Sequence, residues 1–306
     1  MSILASGSKG NATVIAAGST RLLVDAGMSC RELLKRMALV GEDPQSLSAI
    51  LITHEHVDHV AGLSVLARRL KIPVFFTEPT YRAWMRMLSP RATMSYAQWL
   101  KKAQRQKQEN AHPTEDEIQR AELPSSGPER PGPASPASLS DVEYFRAGQN
   151  FAIGEIDVMP FTTPHDAADP CGFVFHARRE SIRMAIATDL GYIPANVKMA
   201  LRGVDVLLLE SNHDLEMLKD GPYPWSVKQR VLSRVGHLSN AAAAEFLEHD
   251  YDGGAHTIVL GHLSEQNNLP ELARLAAEQA IGRRSNLLGN RVLLAMQHLP
   301  LEPITL

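Results

Sequence analysis

No other stretch limits the fold of this chain as tightly as "SAILITHEHVDHVAG", residues 48–62. Its apolar run, 49–52, has the length and bounds of a fully buried strand. At Thr53 the run gives way to three histidines and two acids within positions 54–59. Side chains at i and i+2 of an extended segment point the same way, so His54 and His56 can grip one cation together. Asp58 and His59 lie past the bend and can turn to a second. Imidazole nitrogen with carboxylate oxygen suits zinc, manganese or iron. A polar turn that holds histidines by accident is the competing reading, and a cluster this dense directly after a buried strand argues against it.

Two cations need more donors than one turn supplies. Three residues qualify because each closes an apolar strand: His165 after "IDVMPFTTP", Asp189 after "RMAIAT" and His262 after "HTIVLG". Taken singly, each is as well explained as a hydrogen-bonded loop residue; together they supply what two ions require. The rest of the chain interleaves strands with helices. "SILA", "ATVIAA", "RLLVD", "IPVFFT", "DVEYF", "NFAIGEIDVMPFTT", "CGFVFHA", "VDVLLLE" and "RVLLA" read as strands. "SCRELLKRMAL", "GLSVLARRLK", "PANVKMALRG", "NAAAAEFLEHDY" and "LPELARLAAEQAI" read as helices. Two sheets face to face with helices outside fit this order. Residues 89–140 break it with a polar stretch and the Pro/Ser/Gly-rich "LPSSGPERPGPASPASLS", so the expectation is one domain, 1–306, carrying a partly disordered insertion. The basic run "KKAQRQK" and Trp99 leave a lid or docking arm as the alternative for that insertion.

The whole resembles the HxHxDH pattern of the metallo-β-lactamase fold, apart from the insertion. The resemblance implies an α/β (α+β) chain folded as a four-layer αββα sandwich, with metal at one sheet edge. It assigns His54, His56 and His165 to a first ion and Asp58, His59 and His262 to a second, with Asp189 bridging them. Asp25, in "LLVDAG", takes a supporting place rather than a ligand's. "LASGSKGN", "PHDAADPCGF", "ESNHDLEMLKDGPYPWSVKQRVLSRVGHLSN" and "LGHLSEQNN" further resemble the YycJ/WalJ/VicX-type branch. That branch is associated with 5′-exonuclease action on DNA. "GHLSN" with "LGHLSEQN" is similar to the paired histidine motifs of the ribonuclease Z group, which makes His237 the expected proton donor. The insertion is longer than the branch implies, and it precedes His165. A β-CASP nucleic-acid clamp would enter later in the chain, so the insertion is not that domain.

The resemblance therefore implies a metal-dependent phosphodiesterase hydrolysing nucleic acid, DNA ahead of RNA. Its nucleophile would be a hydroxide bridging two divalent ions about 3.5–4 Å apart. Asp58 and His237 are the expected catalytic residues. Substrate contacts are expected from Ser6, Ser8, Lys9 and Asn11 in the glycine-rich "SGSKGN", whose alternative is an ordinary tight turn. Asn212 and His213 are expected to line the cleft or to orient a ligand. For Trp84 and Trp225, core packing is the expectation and base stacking the alternative. The net charge of −3 argues mildly against a large duplex footprint and keeps a glyoxalase II-like thioesterase or a small cyclic phosphodiesterase in play. A non-enzymatic scaffold is disfavoured by the full ligand set. With two cysteines in unlike contexts, no leader-like start and no apolar run of the ~18 residues a membrane helix needs, the expected location is the cytoplasm.

Overall fold

The computed structural model describes residues 1–88, 139, 141–284 and 289–306. Its main body comprises Met1–Trp84 with Leu139–Leu306, and Met85–Ser138 form a second unit. Apart from Leu139, the expected insertion at 89–140 lies outside the described residues.

Two sheets make the main body. The first runs in chain order, β1 (Ser2–Ala5), β2 (Ala12–Ala17), β3 (Thr20–Val24), β4 (Ala49–Leu51), β5 (Val74–Thr77) and β6 (Val142–Phe145). The second comprises β7 (Phe151–Ile153), β8 (Ile156–Thr162), β9 (Cys171–Ala177), β10 (Ile182–Ala187), β11 (Val206–Glu210), β12 (Thr257–Gly261) and β13 (Arg291–Leu294). Period-two burial explains the layering. Ile15, Leu22, Val24, Ala49 and Leu51 of the first sheet meet Val158, Phe173, Phe175, Ile186 and Leu208 of the second in one apolar core. Val14, Leu23, Ile50 and Phe76 alternate with that set and are buried on the opposite face. There α1 (Cys30–Leu39) and α3 (Leu63–Leu70) bury Leu33, Met37, Leu63 and Leu66. The outer face of the second sheet, Leu207, Leu209, Ile258 and Leu260, packs on α5 (Ala195–Ala200), α8 (Asn240–His249) and α9 (Pro270–Gly282). This is the αββα sandwich.

Strand direction positions the site. β3 to β6 are mutually parallel, and so are β10 to β13. β8 runs with β10 because both are antiparallel to β9. The carboxyl ends of β3, β4, β8, β10, β11 and β12 therefore arrive at one edge, the usual place for a ligand in sheets of this kind.

Several elements differ from the sequence expectation. "NFAIGEIDVMPFTT" is a hairpin, broken at Gly154 with φ 55°. Within the histidine loop, α2 (Val57–Val60) forms a single helical turn. Three further helices are α4 (Glu78–Leu88), whose Tyr81, Trp84, Met85 and Leu88 recur at helical spacing, and α6 (Leu215–Asp220) and α7 (Trp225–Val231), which bury one residue each, Leu218 and Val231. Asp214 starts α6 by accepting from the backbone N–H groups of Glu216 and Met217. Trp84 is buried and stacks on Phe76. Trp225 corrects the expectation of core packing: it opens α7, whose buried residue is Val231, and is 67% exposed.

Candidate metal centre

Thr53 organises the start of the loop. Its hydroxyl lies 2.9 Å from Asp25 Oδ2 and 3.0 Å from His54 Nδ1. Donating to the carboxylate, it accepts from His54 Nδ1–H, which turns His54 Nε2 inward as a lone-pair donor. Asp25 also accepts from the Thr53 backbone N–H at 2.9 Å and meets His59 Nδ1 at 2.8 Å, leaving His59 Nε2 to face the centre. His165 Nδ1 bonds the Gly236 carbonyl at 3.1 Å, which frees its Nε2. The partner on each ring's far nitrogen thus fixes which nitrogen can ligate.

The side chains converge in overlapping groups. His54, His56 and His165 form one, Asp58, His59 and His262 another, and His54, His59 and Asp189 connect them. In the first, His56 Nδ1 and His165 Nε2 are 3.3 Å apart. Two nitrogens each bound about 2.0–2.1 Å from a tetrahedral ion stand about 3.3–3.4 Å apart, so this spacing fits a shared cation. In the second, Asp58 Oδ2 lies 3.5 Å from His59 Nε2 and 3.6 Å from His262 Nε2. Asp189 sits between, Oδ2 at 3.4 Å from His59 Nε2 and Oδ1 at 3.9 Å from His165 Nε2. His54 Nε2, Asp189 Oδ2 and His262 Nε2 are buried without a hydrogen-bond partner among the described residues. Such atoms cost about 1–3 kcal/mol each if left unmet. A divalent cation held by nitrogen and oxygen fits all three.

Charge differs between the groups. Burial, and then the neighbouring imidazoles, push His54 well below the ordinary histidine value; burial also lowers His165. Burial acts the same way on His59 and His262, but there it is overcome. Asp25, Asp189 and Asp58 hold His59 well above its ordinary value, and Asp189, Asp58 and Glu210 do so for His262. Burial would raise Asp58, yet His59 and His262 keep it far below the carboxylate range.

Glu210 was missed by the sequence reading, although it closes the apolar strand "VLLLE" just as the ligand candidates close theirs. It is fully buried. Oε1 accepts from His237 Nδ1 at 2.7 Å and from His262 Nδ1 at 2.9 Å, while Oε2 accepts from the Leu190 and Leu238 backbone N–H groups. Burial opposes its charge, but His237 and His262 hold its carboxyl below the usual range. The His237 ring stands 5.0 Å from those of His165 and His262, partly exposed, with Nε2 left for the cleft.

The other candidates lie in three places. Asn11 touches the centre: its Nδ2 is 3.0 Å from His59 Nε2 and 3.3 Å from Asp58 Oδ2. Gly27 packs so closely here that a Cβ would overlap the Asp58 carbonyl. Ser6 and Asn212 grip the His262 backbone, Ser6 Oγ accepting its N–H and Asn212 Nδ2 donating to its carbonyl, both at 2.8 Å. They hold His262 at φ 55°, and Asp25 and Asp189 share that left-handed conformation at 61° and 59°. Each such residue stores strain of order 1–3 kcal/mol, concentrated at this edge. Ser8 and Lys9 are exposed, and the Lys9 ammonium pairs with Glu265. His213 is buried with neither ring nitrogen partnered among the described residues, and burial lowers it to about 4. Glu55 turns away, accepting from the Ala168 N–H, and Val57 is exposed.

Residues 20–262 match the family model described as a beta-lactamase superfamily domain. The exodeoxyribonuclease YycJ of Bacillus anthracis is 35% identical over 92% of this chain and 88% of its own length. The exodeoxyribonuclease WalJ of Streptococcus pneumoniae is 33% identical over 90% and 85%. Among solved structures, the metallo-beta-lactamase fold protein YhfI of Bacillus subtilis superimposes with a TM-score of 0.62 over 99% of both chains, at 15% identity, a likeness of fold alone.

Proposed function

We propose, for a chain that belongs to the beta-lactamase superfamily and within it to the YycJ/WalJ branch, that the centre hydrolyses phosphodiester bonds in nucleic acid, DNA in preference to RNA, from the 5′ end. His54, His56 and His165 would hold one divalent ion and Asp58, His59 and His262 a second, with Asp189 between; zinc, manganese or iron suits these donors. Bound there, such ions supply the Lewis acidity that activates water and offsets charge on the phosphoryl oxygens.

The observation that carries the reading is His237, braced on Glu210 beside both donor groups. With Nδ1–H given to the carboxylate, Nε2 carries the mobile proton to the departing sugar oxygen. Glu210, 2.7 Å from Nδ1, fixes the ring. An alkoxide needs that proton, whereas a thiolate, with a thiol pKa of about 8.5, leaves without it. A braced acid therefore favours phosphodiester over thioester cleavage. Asn11, Asp25 and Thr53 hold Asp58 and His59 in place. Two free buried cysteines suit a cytoplasmic location, and among the described residues no helix is long and apolar enough to cross a membrane.

The test is to incubate metal-loaded protein with 5′- and 3′-labelled DNA and RNA, single- and double-stranded, alongside a thioester. Mononucleotide release from the 5′ end of DNA is expected. Thioester turnover without nucleotide release would overturn the proposal.

A further inference from the structure

Beyond the end of β11 at Glu210, residues 211–213 ("SNH") run between the two loops that carry His237 and His262. On one side the Asn212 N–H donates to the Leu238 carbonyl at 2.7 Å and the Asn240 N–H to the His213 carbonyl at 2.9 Å. On the other, the Ser211 N–H donates to the Gly261 carbonyl at 3.0 Å and the Ser264 N–H to the Asn212 carbonyl at 2.7 Å. One tripeptide therefore spaces the His237 loop from the His262 loop. Glu210, the residue just before it, receives both rings on Oε1.

Two buried amides close over the tripeptide and tie the loops to each other. Asn240 opens α8 just after His237, and Asn268 lies just ahead of α9. Asn240 Nδ2 donates to Asn268 Oδ1 at 2.8 Å, and Asn268 Nδ2 returns the bond to Asn240 Oδ1 at 3.0 Å. Asn268 Nδ2 also meets the Ser211 and Asn212 carbonyls at 2.9 and 3.0 Å. Asn240 Oδ1 accepts from the buried Ser211 hydroxyl at 2.7 Å. Every amide oxygen and nitrogen of the pair is thus partnered inside the protein, the condition under which a buried polar network is rigid rather than costly. Among the described residues these side chains hydrogen-bond to one another and to the tripeptide, and to no proposed metal donor. Their reach is the spacing of the two loops.

Resting on the phosphodiesterase reading above, we propose that Asn240, Asn268 and Ser211 are positioning residues. Their clasp holds the His237 ring where it shares Glu210 Oε1 with His262, and so keeps the proton donor aimed at the departing oxygen. The two rings stand 5.0 Å apart between centroids. A misplacement of about 1 Å in such a constellation costs about 10²-fold in rate. The backbone bonds fix each loop to the tripeptide, and the amide pair joins loop to loop. His262 keeps its own hold on Ser6 and Asn212 when the clasp is lost, so the ring displaced is that of His237.

The test gives the full, metal-loaded chain two substrates. One is 5′-labelled DNA, whose sugar alkoxide must be protonated to leave; the other is bis(p-nitrophenyl) phosphate, whose nitrophenolate leaves without a proton. Asn268→Ala and Asn240→Ala should each lower kcat on DNA about 10²-fold, with KM little changed and the nitrophenyl ester much less affected. Ser211→Ala removes one bond and spares the amide pair. It should show the same selectivity at a smaller size, and it decides the matter where an asparagine variant fails to fold. A clasp that merely stabilised the fold would slow both substrates alike, so equal slowing, or unchanged release from DNA, would overturn the proposal. Proton NMR reads the geometry without any substrate. The low-field Nδ1–H signal of His237 on Glu210, assigned by its absence in His237→Ala, should shift or broaden in Asn268→Ala; an unaltered signal would also overturn the clasp. If wild-type protein cleaves neither phosphodiester, the nucleic-acid reading fails first, and the NMR signal still decides whether the clasp sets the ring.

Discussion

His54 and His165 stand in the first donor group with their pKa values pushed down by burial, whereas His59 and His262 in the second are held up by the carboxylates of Asp25, Asp58, Asp189 and Glu210. Both groups are built mostly of buried imidazoles, so burial alone does not separate them; the acids around the second do. In the first, burial favours the neutral form of His54 and His165, the form that binds a cation. The second is already charge-balanced and must release protons to accept one. If both groups hold ions, as proposed, the first would take one across neutral pH while filling of the second would depend on pH.

The largest break of this comparison is Asp58→Ala. It removes an oxygen donor from the second group and leaves His59 and His262 with one counter-charge fewer. Hydrolysis should fall to background, a loss on the order of 10⁴-fold, while elemental analysis finds the first group still loaded. Unchanged metal content would refute the assignment of Asp58 as a donor. His237→Ala removes none of the seven proposed donors, so metal content should persist while cleavage slows about 10²–10⁴-fold. An equal loss with an activated leaving group would refute its role as acid. Glu210→Gln separates the groups more finely. With its charge gone, metal affinity in the second group should change about 10- to 100-fold, with the first unaffected; equal changes in both would merge them.

The smallest effect is on pH. In the ion-free protein, His59 and His262 have raised pKa values, so their contribution to stability is complete below the ordinary histidine range and lost as pH rises through their folded values. Lowered His54 and His165 act oppositely, costing stability as pH falls through about 6.5. Added metal should therefore raise the unfolding midpoint more at pH 8 than at pH 6, and affinity in the second group should fall about tenfold per pH unit for each proton displaced. A thermal shift independent of pH would contradict the difference between the groups.

Much of this edge was legible because its donors terminate buried strands, and strand length and apolar run are local signals. "AILITHEH" carries both the β4 end and the first donors; "MAIATD" and "TIVLGH" announce Asp189 and His262 in the same way. Glu210 carried an equal signal in "VLLLE", but its role appears only when His237 and His262 meet on one oxygen. The duty of Ser6 and Asn212 was hidden because it is directed at the backbone of a residue distant in sequence. The ion pair of Lys9 with Glu265 joins residues 256 apart in the chain and could not be read from "SGSKGN". The helix at Trp225 was illegible for a different reason: only Val231 among its residues is buried, so it has no apolar stripe to read.

Whether the two groups act as one phosphodiesterase centre is open to a single titration. Chelator-stripped protein is given manganese or zinc in measured equivalents while nucleotide release from 5′-labelled single-stranded DNA is followed. The rate should stay negligible until the second group fills, then rise to a plateau that Asp58→Ala never reaches. Full activity with only the first group loaded, or in Asp58→Ala, would contradict it.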